Sequence, residues 1–125
     1  MSLAMSERSE QAVHLKHSGY NCCQAVIKAL LPEGDDTLLQ AAAGFAVGMG
    51  CMECTCGALC GAVMAAGVAG GNARTAKLML SRFKEMCGAI VCHELKGRDT
   101  GKVLCDCDSC VRNAVLCYES VVEGK

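Results

Sequence analysis

The sequence predicts an all-α fold, a compact bundle of about five or six helices around a central helix of small residues. Three observations point there. β-branched and aromatic residues are sparse, and no run of alternating polarity persists as a half-buried strand requires. Apolar residues recur instead at helical spacing over 73–87 and 107–123. Asn, Asp, Pro and Gly stand where helices would start and stop.

Taken in order, residues 6–17 make a polar first helix ended by Gly19. Asn21 is a good N-cap for a helix over 22–31 that stops at Pro32, and Asp36 can cap a third over 37–47. After a loop at 48–55, "CGALCGAVMAAGVAGG" reads as the central helix, with Gly57, Gly61 and Ala65 on one face where another backbone can approach closely. Asn72 caps a fifth helix over 73–87. Its Ala76, Met79, Leu80, Phe83, Met86 and Cys87 form the apolar stripe, and Arg74, Lys77, Lys84 and Glu85 form a solvated face. "VCHEL" suits a short helical turn and "KGRDTGK" a loop. The last helix, 107–123, aligns Cys107, Cys110, Val111, Ala114, Cys117, Tyr118 and Val121 on one face. Residues 6–125 read as one cysteine-rich domain, and 1–5, with its "MSL", as an expression remnant and disordered start.

The formal net charge is −1 and the Lys and Arg are scattered, so no basic stripe invites nucleic acid. Phe45, Phe83, Tyr20 and Tyr118 lie too far apart to form a stacking platform. The stretch from Thr55 to Ala73 carries no charge, but its glycines and cysteines make a poor lipid-facing helix, and no membrane span is expected. The N-terminus has no apolar signal-peptide core, which points to the cytoplasm. Thiols there are kept reduced, so dense cysteines point to metal binding or catalysis rather than to disulfides. No Ser/His/Asp set appears, and "GGNAR" lacks the Lys and Ser/Thr of a phosphate-binding loop.

The chain has 12 cysteines, in three clusters plus single residues. Cys22 and Cys23 are adjacent; Cys51, Cys54, Cys56 and Cys60 follow as C-x2-C-x-C-x3-C; Cys105, Cys107 and Cys110 form C-x-C-x2-C. The middle run is one residue short of the ferredoxin spacing and lacks its proline. The paired knuckles of a regular zinc site are also missing. Cys22, Cys56 and Cys107 each fall in the first turn of a predicted helix, where free N–H groups and the helix dipole favour a thiolate. Cys51, Cys54 and Cys60 are further candidates for binding a cofactor. Cys87 and Cys117 lie inside apolar stripes and read as packing residues. His93 is a candidate ligand beside Cys92, whereas His14, His17 and Glu53 read as solvent-facing.

"NCCQAV", "CGALCG", "CHELKGRD" and "CDSCVRNAV" together resemble the C-GCAxxG-C-C family of redox-active proteins, over about Gly19 to Val122. The resemblance implies that Cys22, Cys56, Cys92 and Cys107 are the functional set, three of which are the helix-start cysteines. Beyond that set the chain adds Cys23, Cys51, Cys54, Cys60, Cys87, Cys105, Cys110 and Cys117. A similar module in split-Soret-type cytochromes accompanies haem and an iron–sulfur centre, but C-x-x-C-H is absent here and only C-x4-C-H occurs, at Cys87 to His93. Two chemistries fit the four cysteines: ligation of an iron–sulfur or other soft-metal centre, or a thiol/disulfide couple. Either makes the protein an oxidoreductase or electron-transfer component with a redox partner that the sequence does not identify. The alternative is a non-catalytic zinc-binding structural or buffering module. The small-residue and last helices would bury their apolar faces within the chain or across a homodimer.

Overall fold

Most helices begin on a side-chain cap that the sequence supplies. Ser6 and Ser9 close a reciprocal pair, Ser9 N–H to Ser6 Oγ at 3.1 Å and Ser6 N–H to Ser9 Oγ at 2.7 Å, which starts α1 (Glu7–His17). Asn21 Oδ1 accepts from the Gln24 N–H at 2.8 Å and opens α2 (Cys22–Leu30), which stops ahead of Pro32. The third helix, α3 (Asp36–Ala41), is shorter than predicted: it tightens into a 3-10 turn at Ala42–Phe45, and Val47 leaves helical geometry at φ 55°. The central helix α4 spans Gly57–Val68. Asn72 accepts from the Arg74 and Thr75 N–H groups and starts α5 (Ala73–Cys87), which ends on Gly88 at φ 93°, a left-handed cap that glycine adopts without strain. A short α6 (Cys92–Lys96) follows, and Asp106 caps α7 (Cys107–Val122) by accepting from the Ser109 N–H at 2.8 Å.

The computed structural model describes residues 6–34 and 36–125; the segment 1–5, expected as a remnant and disordered start, lies outside the described residues. Among the described residues there are seven helices and no strand, so the all-α expectation holds. The single bridge pairs Thr55 with Val91 in antiparallel sense.

The core is built on α4, whose Ala58, Leu59, Ala62, Ala65 and Ala66 are buried. Its glycines let α2 approach at backbone distance: a Cβ on Gly61 would stand 2.5 Å from the Cys23 carbonyl oxygen. Met79 and Phe83 of α5 and Val111, Ala114, Val115 and Cys117 of α7 close the other side. Most of the apolar faces of α4 and α7 are thus covered within one chain. Among the described residues four side-chain pairs join α1 to α7: Arg8 to the buried Glu119, Lys16 and His17 both to Asp108, and Arg112 to Glu10. No helix among the described residues is long and apolar enough to cross a membrane.

Candidate redox and metal site

The bridge at Thr55 and Val91 positions the first two sulfurs. Its flanks are tied by the Cys56 N–H to the Ile90 carbonyl at 2.7 Å and the Cys92 N–H to the Cys54 carbonyl at 3.0 Å. Cys56 is therefore held at the N-cap of α4, one residue before the first turn predicted for it, and Cys92 at the first residue of α6. Cys22 is the first residue of α2 and Cys107 the first of α7. These helix starts face a common cavity of about 470 Å³, lined by Cys22, Cys56, Cys92 and Cys107 together with Cys110, Lys96 and Lys16. Among the described residues no carboxylate or imidazole lines it. Two glycines make the convergence sterically possible. A Cβ on Gly57 would come 2.8 Å from Cys22 Sγ and 2.6 Å from the Phe45 carbonyl oxygen, and one on Gly48 would come 2.8 Å from Cys92 Cβ.

The turn that presses on Cys92 has unusual backbone. Val47, Gly48, Met49 and Gly50 run consecutively at positive φ, and Met52 follows at φ 64°. A β-branched residue such as Val47 is rare in the left-handed region, where strain costs of order 1–3 kcal/mol. Arg98, from the loop after α6, holds the turn by pairing with Glu53 and donating to the Cys51 carbonyl at 3.3 Å. Cys51 is exposed, and Cys54 and Cys60 are half-buried, with Cys60 Sγ donating to the Thr55 carbonyl at 3.8 Å. None of these three cofactor-binding candidates lines the cavity. His93 pairs with Asp99 at 2.9 Å and does not line it either, while His14 is exposed and His17, also exposed, pairs with Asp108.

The thiols do not have the acidity that helix starts alone suggest. At Cys56 the N–H groups of Ala58 and Leu59 do favour the thiolate, but a hydrogen bond with the Cys110 thiol and burial outweigh them and push the thiol well above its ordinary value. Burial likewise raises Cys22, against a backbone hydrogen bond from Val47, and raises Cys92, against the charge of Lys96. At Lys96 burial opposes the ammonium, yet the neighbouring Cys110 and Cys107 sulfurs hold its pKa above the ordinary lysine range. Its Nζ donates to Cys110 Sγ and to the Cys105 carbonyl, both at 3.2 Å.

Behind the cavity lies a second sulfur group that the sequence reading missed. The Sγ atoms of Cys87, Cys105 and Cys110 all lie within 4.8 Å of one another, all three residues are buried, and the group can hold a metal ion. Cys105 Sγ is 3.3 Å from Cys87 Sγ, and Asn113 Nδ2 donates to Cys87 Sγ at 3.1 Å. Cys87 is buried in the core, as its stripe predicts, and also belongs to this group. It is the last residue of α5, where the chain turns at Gly88 and meets α7. The thiol–thiol contacts and burial push Cys87 up to about 11 and Cys105 to about 12, against the Cys105 bond that favours the Cys87 thiolate and the Cys110 bond that favours that of Cys105. Cys117 does pack as expected, fully buried with its sulfur 3.5 Å from Met86 Sδ.

No curated protein and no solved structure matches the chain. A family model does, over residues 20–121, which take in both cysteines of α2 and the whole of α4 to α6 and nearly all of α7. With its CGALCG motif at the start of α4 and its cysteines at the starts of α2, α6 and α7, the chain belongs to the family described as "Putative redox-active protein (C_GCAxxG_C_C)".

Proposed function

We propose that Cys22, Cys56, Cys92 and Cys107 hold one soft-metal redox centre, an iron–sulfur cluster, and that the protein is an electron-transfer component. The observation that carries this is the common cavity: cysteines far apart in sequence, on four different helix starts, line one space. The donor set fits the group. Among the described residues the cavity lining offers several sulfurs and no carboxylate or imidazole, and all-sulfur sites select iron–sulfur clusters or zinc over harder ions.

The thiol/disulfide alternative needs a thiolate ready to attack at neutral pH. Burial works against that at Cys22, Cys56 and Cys92. It does not work against metal ligation, since a bound metal drives the proton off its ligand. When bound, an iron–sulfur cluster supplies one-electron oxidation and reduction at a potential set by its charge and hydrogen bonds. The protein's part is to exclude water and tune that charge. Cys56 and Cys92 are each only 4% exposed, Val47 N–H supplies a hydrogen bond to the Cys22 sulfur, and Lys96 supplies a positive charge. Cys107, which is exposed, gives the electron a short route to a docked partner.

The test is purification without air, followed by a visible absorption spectrum and assays of iron and acid-labile sulfide. Absorption with matched iron and sulfide is the expected result; a colourless protein with stoichiometric zinc in the cavity would replace the redox centre with a structural metal site.

A further inference from the structure

The Cys87, Cys105 and Cys110 group lies outside the four-cysteine set, and Cys87 and Cys105 do not line the cavity. We propose that these three sulfurs form a second, closed metal site that takes a single zinc ion, with the Asn113 amide as fourth ligand and Lys96 balancing the charge. The inference does not rest on the redox reading of the cavity.

Geometry is the first support. Three sulfurs within 4.8 Å of one another need to close by only about 1 Å to share an ion at zinc–sulfur distances of about 2.3 Å, which set tetrahedral sulfur–sulfur spacings of about 3.8 Å. They come from the end of α5, the loop before α7, and the first turn of α7, so no single helix would bring them together by chance of spacing. Zinc in closed sites takes four ligands. Asn113, on α7 beside Cys110, already has its amide 3.1 Å from Cys87 Sγ and 3.9 Å from Cys105 Sγ. A half-turn of the amide plane puts its oxygen where the nitrogen stands, and oxygen is a zinc ligand.

Charge is the second support, and it selects the ion. Three thiolates in a buried site need compensation, because an unpaired charge in the interior is costly. A divalent ion offsets two of them, and the Lys96 ammonium, 3.2 Å from Cys110 Sγ, offsets the third. A monovalent ion such as copper(I) would leave one negative charge over. Binding releases three thiol protons to solvent and changes no oxidation state.

Cys110 is the point of contact between this site and the cavity, since it belongs to the triad and also lines the cavity and bonds Cys56.

The test uses the full chain, reduced, freed of metal by chelation under nitrogen, and titrated with zinc alone against a chromophoric chelator. A Cys22→Ser, Cys107→Ser double variant, with the cavity disabled and the triad intact, is expected to bind one zinc ion. Adding Cys105→Ser should abolish that binding, and adding Asn113→Ala should weaken it by about 10–100-fold. No zinc bound by the double variant, or equal binding after Cys105→Ser, overturns the proposal. A measurement on the unaltered protein guards against misfolded variants. Mass-spectrometric mapping of alkylated thiols should show Cys87, Cys105 and Cys110 protected together when zinc is added. Absence of joint protection, or a Cys87–Cys105 disulfide in protein never exposed to air, overturns it equally.

Discussion

Cys56 and Cys92 flank one backbone bridge, since the residues next to them, Thr55 and Val91, form the only bridge among the described residues, reinforced by Cys56 N–H to the Ile90 carbonyl at 2.7 Å and Cys92 N–H to the Cys54 carbonyl at 3.0 Å. A cavity at the junction of four helix starts would otherwise depend on side-chain packing alone. The bridge fixes two of its cysteines through backbone, which holds position more tightly than a rotatable side chain does.

The glycines of α4 set how close the cysteine helix α2 can come. Gly61→Ala puts a Cβ 2.5 Å from the Cys23 carbonyl oxygen, a backbone atom that cannot swing aside. Its expected cost is about 1–3 kcal/mol in urea unfolding, the scale of overpacking a tight contact. Gly57→Ala meets both the Phe45 carbonyl oxygen and Cys22 Sγ, so it should lower bound metal as well as stability. Metal content equal to wild type in Gly57→Ala would show that Cys22 is free to move and is not a tightly held ligand.

The metal-free, reduced protein should lose stability as pH rises above about 9. Cys23 is pushed up to about 12 and Cys60 to about 11, chiefly by burial, and Cys87 and Cys105 to about 11 and 12. Below 9.0, the ordinary value of a thiol, both folded and unfolded chains keep these protons; above it the unfolded chain releases them first, so unfolding becomes easier with each step in pH until the folded values are reached. Urea midpoints under anaerobic reducing conditions should therefore fall from pH 8 to about pH 10. A flat or rising midpoint would contradict the burial of these thiols.

Lys96 should act on potential rather than on folding. Its ammonium lines the cavity and donates to Cys110 Sγ at 3.2 Å. Lys96→Met removes a positive charge beside the centre, so reduction becomes harder and the midpoint potential should move to more negative values, with Lys96→Arg restoring part of the shift. Voltammetry or a dye-equilibrated spectrum reads this directly. An unchanged potential in Lys96→Met would place the charge too far from the redox centre to matter.

Cys117 serves as the control. It is fully buried, touches Met86, and lies outside both sulfur groups. Cys117→Ala should cost about 1 kcal/mol, as a small core truncation does, and leave metal content and thiol alkylation unchanged. Loss of metal in this variant would reveal a ligand outside the two groups.

The helices were legible because their punctuation is local. Asn21 and Asn72 cap where their side chains predict, Pro32 ends α2, and the α5 stripe buries Met79, Phe83 and Cys87. Gly57 and Gly61 likewise announced a close helix contact, which α2 makes. The Cys87 group was not legible, because a cysteine at stripe spacing looks like any small apolar residue until α7 brings Cys110 beside it. The signal was present in the close spacing of Cys105 and Cys110 and in the position of Cys87 at a helix end before Gly88, but spacing does not say which turns meet. Thiol acidity was misjudged at Cys56 for a related reason: the helix-start N–H groups are local and readable, whereas burial and the Cys110 hydrogen bond come from the fold.

The measurement that bears most directly on the central claim is iron, acid-labile sulfide and visible absorption of anaerobically purified wild type beside Cys22→Ser, Cys56→Ser, Cys92→Ser and Cys107→Ser. Serine keeps the shape but offers a hard, protonated hydroxyl in place of a soft thiolate. Wild type should be coloured and carry iron and sulfide, with a sharp loss of all three signals in each variant, most of all in Cys56→Ser, while Cys117→Ala matches wild type. Full iron and an unchanged spectrum in Cys56→Ser, or a wild type with neither iron nor sulfide, would contradict it.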